Sequence, residues 1–445
     1  MAVSCFVTAS SMGHSSIPTV DTIQNAGYTH SSARNAPKVF CRSVRFALSL
    51  FFFYMVANVC QAQSREVVCK NGIGEFDAVF HTGVEVRVGA ARNGELATRV
   101  CEGTINWERQ KLVVEPTAAQ IDVDAFGVDL GLPVQVATLQ VKKTSDECCM
   151  EYRIYSLRKP LRLLRKITGG SFFSAADTDL DGRVEIWTDD TAAVDGFEHI
   201  PLSSLDSAPP VVLRFERGRL LDVGAEFQSD YDRQIESARA AFDAQDLREF
   251  KESDGILAPA VTFSEEALHL RQRLQTVKIK ILEIVWLYLY SGREEEARRT
   301  LTDLWPIADA ERIRGAIWAA RARGILKQTE GVSKGVRAGG KPEARVYEGL
   351  LGLGNKPEVS VLPQPILLLR APPEGKAAEV LASTEVRLIL VLDSAGKVRS
   401  ATPEDRVDWA DAGLKASVAS WKFIPAFKNG QAVASRIGYA VSLRK

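Results

Sequence analysis

The sequence predicts an α+β multidomain chain, and three changes of residue pattern along it carry that prediction. Short β-branched runs punctuated by Gly, Asn and Pro fill residues 65 to about 222, which reads as a sandwich or a partial propeller. Apolar residues at spacings of three and four then dominate from about 228 to 328, a helical middle. Alternating runs around a helical stripe close the chain, giving a C-terminal β-β-α-β module over 374–445. The expected divisions are a presequence over 1–62, a β-rich domain over 63–225, helices over 226–328, a linker over 329–373 and the module. The 445 residues are 46% hydrophobic and 25% charged, ample for real cores and too apolar for wholesale disorder. With 56 Lys+Arg against 56 Asp+Glu, the chain has no overall electrostatic reason to bind nucleic acid or anionic lipid.

The presequence reads as an export signal. Lys38, Arg42 and Arg45 precede the apolar run Phe46 to Val59, and Cys60-Gln61-Ala62 supplies small residues where a signal peptidase reads. The run has 14 residues, whereas a bilayer-spanning helix needs about 20. Cleavage after Ala62 is expected, with a periplasmic or secreted product; an uncleaved inner-membrane anchor is the alternative, and membrane contact is expected only in that case. Cleavage would leave 383 residues with 52 basic and 55 acidic side chains.

Four cysteines follow the presequence: Cys69, Cys101, Cys148 and Cys149. An even number in an exported chain favours disulfides, and four cysteines allow three pairings. Cys69 with Cys101 is expected because both sit at strand-like edges of one segment. Cys148 and Cys149 are then a vicinal bridge or two thiols, and no His stands at zinc-ligand spacing to any of them.

The strand runs are Val84 to Val88, Lys111 to Val114, Val134 to Val141 and Val211 to Phe215, with Glu216-Arg217-Gly218 as a turn. Among the helices, Ser264 is a natural N-cap, Glu265 and Glu266 suit a helix N-terminus, and Phe263 can staple onto Leu268. Leu270, Leu274, Val277, Ile281, Ile284 and Tyr288 make one buried stripe, which Gly292 ends. A second helix carries Ala297, Leu301 and Leu304 up to Pro306, and a third starts at Asp309. The spacing Tyr290-x-Gly292-x-x-x-Glu296-Ala297-x-x-x-Leu301 resembles a tetratricopeptide hairpin. No 34-residue repeat follows it, so a small bundle is the plainer expectation.

In the module, Val386, Leu388, Leu390 and Leu392 alternate, Asp393-Ser394-Ala395-Gly396 is a turn, and a return strand begins at Lys397. Asp408 can cap a helix with the stripe Ala410, Leu414, Val418 and Trp421, and Asn429-Gly430 makes a tight turn before the last strand. The glycine turn of Val391 to Val398, followed by Leu414-x-Ala416-x-Val418-x-x-Trp421-x-Phe423-x-Pro425-Ala426-x-x-Asn429-Gly430-x-x-Val433, resembles the C-terminal domain of TonB-family proteins over about 70 residues. That resemblance implies a non-catalytic envelope module that takes an extended peptide of an envelope protein or outer-membrane receptor as an added strand. The last strand, 433–443, is then the candidate edge, with Val433, Arg436, Ile437 and Tyr439 as candidate partner-binding positions and Arg436 outward. Trp421, Phe423, Pro425 and Tyr439 are expected to build the module's core.

Asp177-x-Asp179-x-Asp181-Gly182-x-x-Glu185 spaces hard oxygen ligands around a loop-forming glycine, as a Ca²⁺ site requires. The twelfth position is Thr188 rather than the Glu of an EF-hand, and the run resembles the Asp-rich loop of FG-GAP propeller blades. Asp177, Asp179, Asp181 and Glu185 are therefore the candidate metal ligands, with a solvated acidic turn as the alternative. No nucleophile elbow, phosphate loop or His-Glu-x-x-His occurs, and His81, His199 and His269 match no catalytic spacing. The sequence thus points to a non-enzymatic exported envelope protein acting through protein interaction. A membrane-anchored TonB-type transducer supporting receptor transport is the alternative, and a hydrolase in the β-rich domain comes third.

Overall fold

The computed structural model describes residues 68–80, 82–92, 98–145, 148–257, 264–333, 343–350, 356–367, 386–404 and 418–441. The expected presequence over 1–62 with its apolar run, the Phe263 staple and most of the helix expected from Asp408 lie outside the described residues. Among those described, no helix is long and apolar enough to cross a membrane.

Strand β1 (Cys69–Lys70) leads into an antiparallel meander of β2 (Phe76–Val79), β3 (Glu85–Arg92), β4 (Arg99–Trp107) and β5 (Gln110–Ala118). A second sheet follows, of β6 (Gln120–Val128), β7 (Val136–Lys142), β8 (Met150–Ser156) and β9 (Leu163–Gly170), with β1 paired to the outer side of β6. The third has β10 (Phe173–Ala176), β11 (Glu185–Asp189), β12 (Pro210–Glu216) and β13 (Arg219–Asp222), with the short helix α1 (Thr191–Val194) after β11.

These sheets stack through their side chains. Val84, Val86, Val88 and Ile105 from the meander meet Ile121, Val123, Leu139 and Val141 of the second sheet in one core. Ala125, Val128, Tyr152 and Ile154 of the second sheet meet Phe173, Ile186 and Val212 of the third in another. The second sheet is therefore covered on both faces, and eight successive residues of β6 are buried. Such a strand loses the clean alternation of a one-sided sheet. The Cys69–Cys101 disulfide is present, Cα atoms 5.9 Å apart, and ties β1 of the second sheet to β4 of the first. Cys148 and Cys149 are bonded to each other in the connection before β8.

Helices α2 (Gln228–Ala240), α3 (Ala244–Lys251), α4 (Glu265–Tyr290), α5 (Glu294–Leu304) and α6 (Ala310–Arg323) complete the layer on the third sheet. Ser264 caps α4 by accepting the Ala267 amide at 3.1 Å, and Gly292, at φ 77°, lets the chain reverse after it. Leu274, Val277, Ile281 and Ile284 are buried as the stripe requires, whereas Leu270 is exposed. The last three turns of α4 are buried on nearly every side, because α2 and α5 pack on it as well as the sheet.

The C-terminal strands are β14 (Tyr347–Glu348), β15 (Gln364–Leu367), β16 (Val386–Leu392), β17 (Val398–Pro403), β18 (Lys422–Ile424), β19 (Ala426–Lys428), β20 (Gln431–Val433) and β21 (Ser435–Val441). One mixed sheet runs β14-β21-β16-β17, while β15 pairs β18 and β19 pairs β20. Leu388, Leu390, Leu392, Val418, Trp421, Phe423 and Ile437 form its small core, and the Trp421 and Phe423 rings both stand 5.8 Å from Tyr439.

Two expectations are corrected here. The stretch 329–373 was expected as a linker, yet its described parts pair: β14 joins the last strand and β15 joins β18. Val433 was expected in the last strand, but it closes the β19–β20 hairpin, and Ala434 separates it from β21. The module is also fused to the β-rich body rather than tethered beside it. Ile424, Phe427 and Ala432 enter the core between the first two sheets.

Polar contacts fasten the same junction. Lys397 Nζ reaches Asp124 Oδ1 at 2.7 Å, and Lys422 Nζ lies 3.4 Å from Asp122. Burial works to raise the Asp124 carboxyl, but Lys397 and Lys422 outweigh it and hold the group below its ordinary value. Removing one partner of such a pair strands a buried charge. Lys397→Met is therefore expected to destabilise the protein by about 3–5 kcal/mol in urea unfolding. The double variant Cys69→Ser/Cys101→Ser opens a loop spanning 32 positions and should lose roughly 3–4 kcal/mol without reductant, a loss that reductant brings to the parent protein.

Candidate cation site and sheet edge

The acidic run forms the loop of the β10–β11 hairpin, whose last paired residues are Ala176 and Glu185. Asp177 and Glu185 at its two ends are fully buried. Between them the chain turns through Leu180 and Gly182, at φ 61° and 85°. One carboxylate oxygen each from Asp177, Asp179 and Asp181 fall within 4.8 Å of one another. That spacing suits Ca²⁺, whose oxygen ligands sit about 2.3–2.6 Å from the ion, so opposed ligands are roughly 5 Å apart.

The hydrogen bonds of this cluster are incomplete in a telling way. Asp177 Oδ2 accepts the Gly182 amide at 3.0 Å and the Ser394 hydroxyl at 2.8 Å, but its Oδ1 is buried with no donor. Glu185 Oε1 meets Arg214 Nη1 at 3.3 Å, while its Oε2 is likewise buried without a donor. Asp181 accepts Arg183 Nε and Nη2 at 2.8 and 2.6 Å. A buried carboxylate oxygen without a donor is costly, and a bound cation is one way to satisfy it.

Burial pushes the Asp177 carboxyl up to about 6, with repulsion from Asp393 adding to it against the Ser394 hydrogen bond. Burial, then repulsion from Asp179, pushes Glu185 up to about 8 against the pull of Arg214. The structure therefore assembles Asp177, Asp179 and Asp181, and sets Glu185 beside them at the first position of β11, electrostatically coupled but outside the close trio. Thr188 points elsewhere, its hydroxyl serving the Phe172 carbonyl.

Sequence reasoning missed the groups that surround the loop. Asp393 Oδ2 accepts the Asp177 amide at 3.1 Å, and Arg399 Nε reaches Asp393 Oδ2 at 3.0 Å and the Asp177 carbonyl at 3.3 Å. Asp393 was legible as a turn residue, and it does accept the Ala395 and Lys397 amides at 2.9 Å. Nothing in its local sequence announces a partner 216 positions away.

The expected partner edge is not free over its whole length. β14 lies parallel to β21, with Tyr347 opposite Ser435 and Glu348 opposite Arg436. The Tyr347 amide donates to the Ala434 carbonyl, the Gly349 amide to the Arg436 carbonyl, and the Gly438 amide to the Leu350 carbonyl, at 2.8–2.9 Å. Arg436 is outward as expected, and its guanidinium holds Glu348 at 2.6 Å. Ile437 and Tyr439 face the small core instead of a partner, because alternation along the strand places them under Trp421 and Phe423. Gly349 permits the close approach, since a Cβ there would lie 2.7 Å from the Ile437 side chain and 2.9 Å from the Arg436 carbonyl oxygen.

Comparison with protein-family models, with curated proteins and with solved structures finds no match for this chain.

The raised carboxyls give a pH signature in protein stripped of divalent cations. A carboxyl whose folded value is raised favours folding when protonated, so its contribution is whole below the unfolded value near 4 and fades as pH rises through the folded one. The melting temperature in chelator should fall as pH rises through about 6 and about 8, the values of Asp177 and Glu185. Glu185→Gln should flatten the upper part of that fall, which differential scanning calorimetry would read; an unchanged slope would show that Glu185 does not ionise in this window.

Proposed function

We propose that the chain is an exported, non-enzymatic cell-envelope protein whose C-terminal sheet recognises an extended peptide by strand addition. The observation that carries this reading is β14 itself. The edge of β21 already accepts a short parallel strand through three backbone hydrogen bonds and one side-chain ion pair. Strand addition draws affinity from main-chain bonds and specificity from alternate side chains, and both components are present at this edge. The TonB-like pattern of the module supports the same assignment.

The register of β14 describes the peptide this edge would prefer. At the Tyr347 position the ring has the Arg345 guanidinium and the Lys428 ammonium 4.4 and 4.2 Å from its centroid, which favours an aromatic residue there. An acid follows, opposite Arg436, and then a residue without a side chain, where Gly349 passes β21. The partner is read as an envelope protein or receptor with an extended aromatic–acidic–glycine segment. The acidic loop is read as a structural Ca²⁺ site held by Asp177, Asp179 and Asp181, supported by the buried oxygens of Asp177 and Glu185 that lack donors.

The filled edge makes the reading testable without knowing the natural partner. Gly349→Val should push β14 off β21 and leave β21 itself intact. A fluorescent peptide copying residues 344–350 should then bind the full-length variant at least about tenfold more tightly than the parent, whose own strand competes. Arg436→Glu added to that variant should abolish the gain. Equal anisotropy titrations for parent and Gly349→Val would remove strand addition as the function of this edge.

A further inference from the structure

We infer that the acidic loop is a cation-dependent latch, in which a divalent ion ordering the loop holds both the C-terminal sheet and the strand that covers its edge. The inference rests on the Ca²⁺ reading of the loop and adds to it what the ion controls.

Asp177 is the shared element. Its amide donates to Asp393, its carbonyl accepts Arg399, and its Oδ2 accepts both Ser394 of the module and Gly182 of its own loop. Only Oδ1 lacks a donor, although the residue is fully buried and its carboxylate belongs to the trio with Asp179 and Asp181. The side chain that would bind the ion is thus the one that grips the module's turn. That turn is itself stiff. Gly396 at φ 77° closes it, and a Cβ there would lie 1.9 Å from the Phe423 carbonyl oxygen.

The loop also holds the covering strand. The Leu180 carbonyl, between Asp179 and Asp181, accepts the Arg345 amide at 2.9 Å, two residues before β14 begins. One loop therefore fastens the segment that fills the peptide edge and the turn that anchors the sheet. Without an ion, the carboxylates of Asp177, Asp179 and Asp181 crowd one another, with Asp393 adjoining them. An ion replaces that repulsion with shared ligation, fixing Asp177 and Leu180 where their two partners need them. Linkage makes the effect reciprocal: whatever the ion contributes to docking, docking contributes to ion affinity.

The test uses the full chain with CaCl₂, MgCl₂ or chelator, and reads calorimetric binding and amide hydrogen exchange separately. At Ca²⁺ about 100 times its dissociation constant, amides of 343–350 and 386–404 should exchange roughly 10- to 100-fold more slowly than in chelator, the ceiling set by mass action. Mg²⁺ should protect much less, because it demands a tighter octahedral shell. Ser394→Ala, which leaves every proposed ligand in place, should keep a binding heat at several-fold weaker affinity and lose most of the protection at 386–404. Asp179→Ala should lose both. Ca²⁺ heat with protection confined to 173–189 would overturn the latch and leave the Ca²⁺ site standing. Absence of any Ca²⁺ heat in the parent protein would overturn the site and the latch together.

Discussion

Asp124 has almost no contact with solvent, yet it carries a charge at the junction of four elements. It accepts the Tyr152 hydroxyl and the Ala175 amide at 2.7 Å each, and the Lys397 ammonium at the same distance. Tyr152 belongs to the second sheet, Ala175 to the third, and Lys397 to the C-terminal turn. A carboxylate in such a place is tolerated only with a full set of donors. The requirement works in both directions, because Lys397 must come from the far end of the chain for the β-rich body to be electrostatically complete. Lys422 repeats the arrangement one turn of pleat away, reaching Asp122 and the Val123 carbonyl.

That constraint sets the character of the C-terminal sheet. Had it been a free module on a flexible tether, its last strand would expose a row of unpaired main-chain groups, an edge that proteins ordinarily protect. Here the sheet is fixed against the body by the Lys397–Asp124 and Lys422–Asp122 ion pairs and by Phe427, whose ring stands 6.0 Å from Phe80. Fixed in this way, it can keep a short strand of its own chain on that edge. The covering strand is in register with β21 at two positions, against seven between β16 and β21, and the Arg436–Glu348 ion pair adds to its hold.

The acidic loop belongs to the same economy of buried charge. Arg183 and Arg214 neutralise part of it, Arg214 being drawn also to Glu216 and Glu226 at 2.8 and 2.7 Å. Carboxylates outnumber guanidiniums around the loop, and one buried oxygen each of Asp177 and Glu185 is left without a donor.

Much of the architecture was legible locally. The strand runs, the Ser264 cap, the glycine stop at Gly292, the 393–396 turn and the Asn429-Gly430 turn all follow from side-chain periodicity and backbone preference within a few residues. The Cys69–Cys101 bond was readable because only three pairings existed and both residues sat in strands. The acidic spacing likewise predicts four ligands, Asp177, Asp179, Asp181 and Glu185, of which the fold brings the first three together. The segment 329–373 carries the Pro and Gly of a linker, and the two short strands among its described residues are too brief to leave a pattern. Tertiary structure alone decided the rest: which body the C-terminal sheet rests on, what covers its edge, and whose hydroxyl bonds Asp177. The contacts responsible join residues 217 and 273 positions apart. Closing a loop of that length costs only a slowly growing entropy, so separation along the chain leaves no mark by which a buried partner could be foreseen.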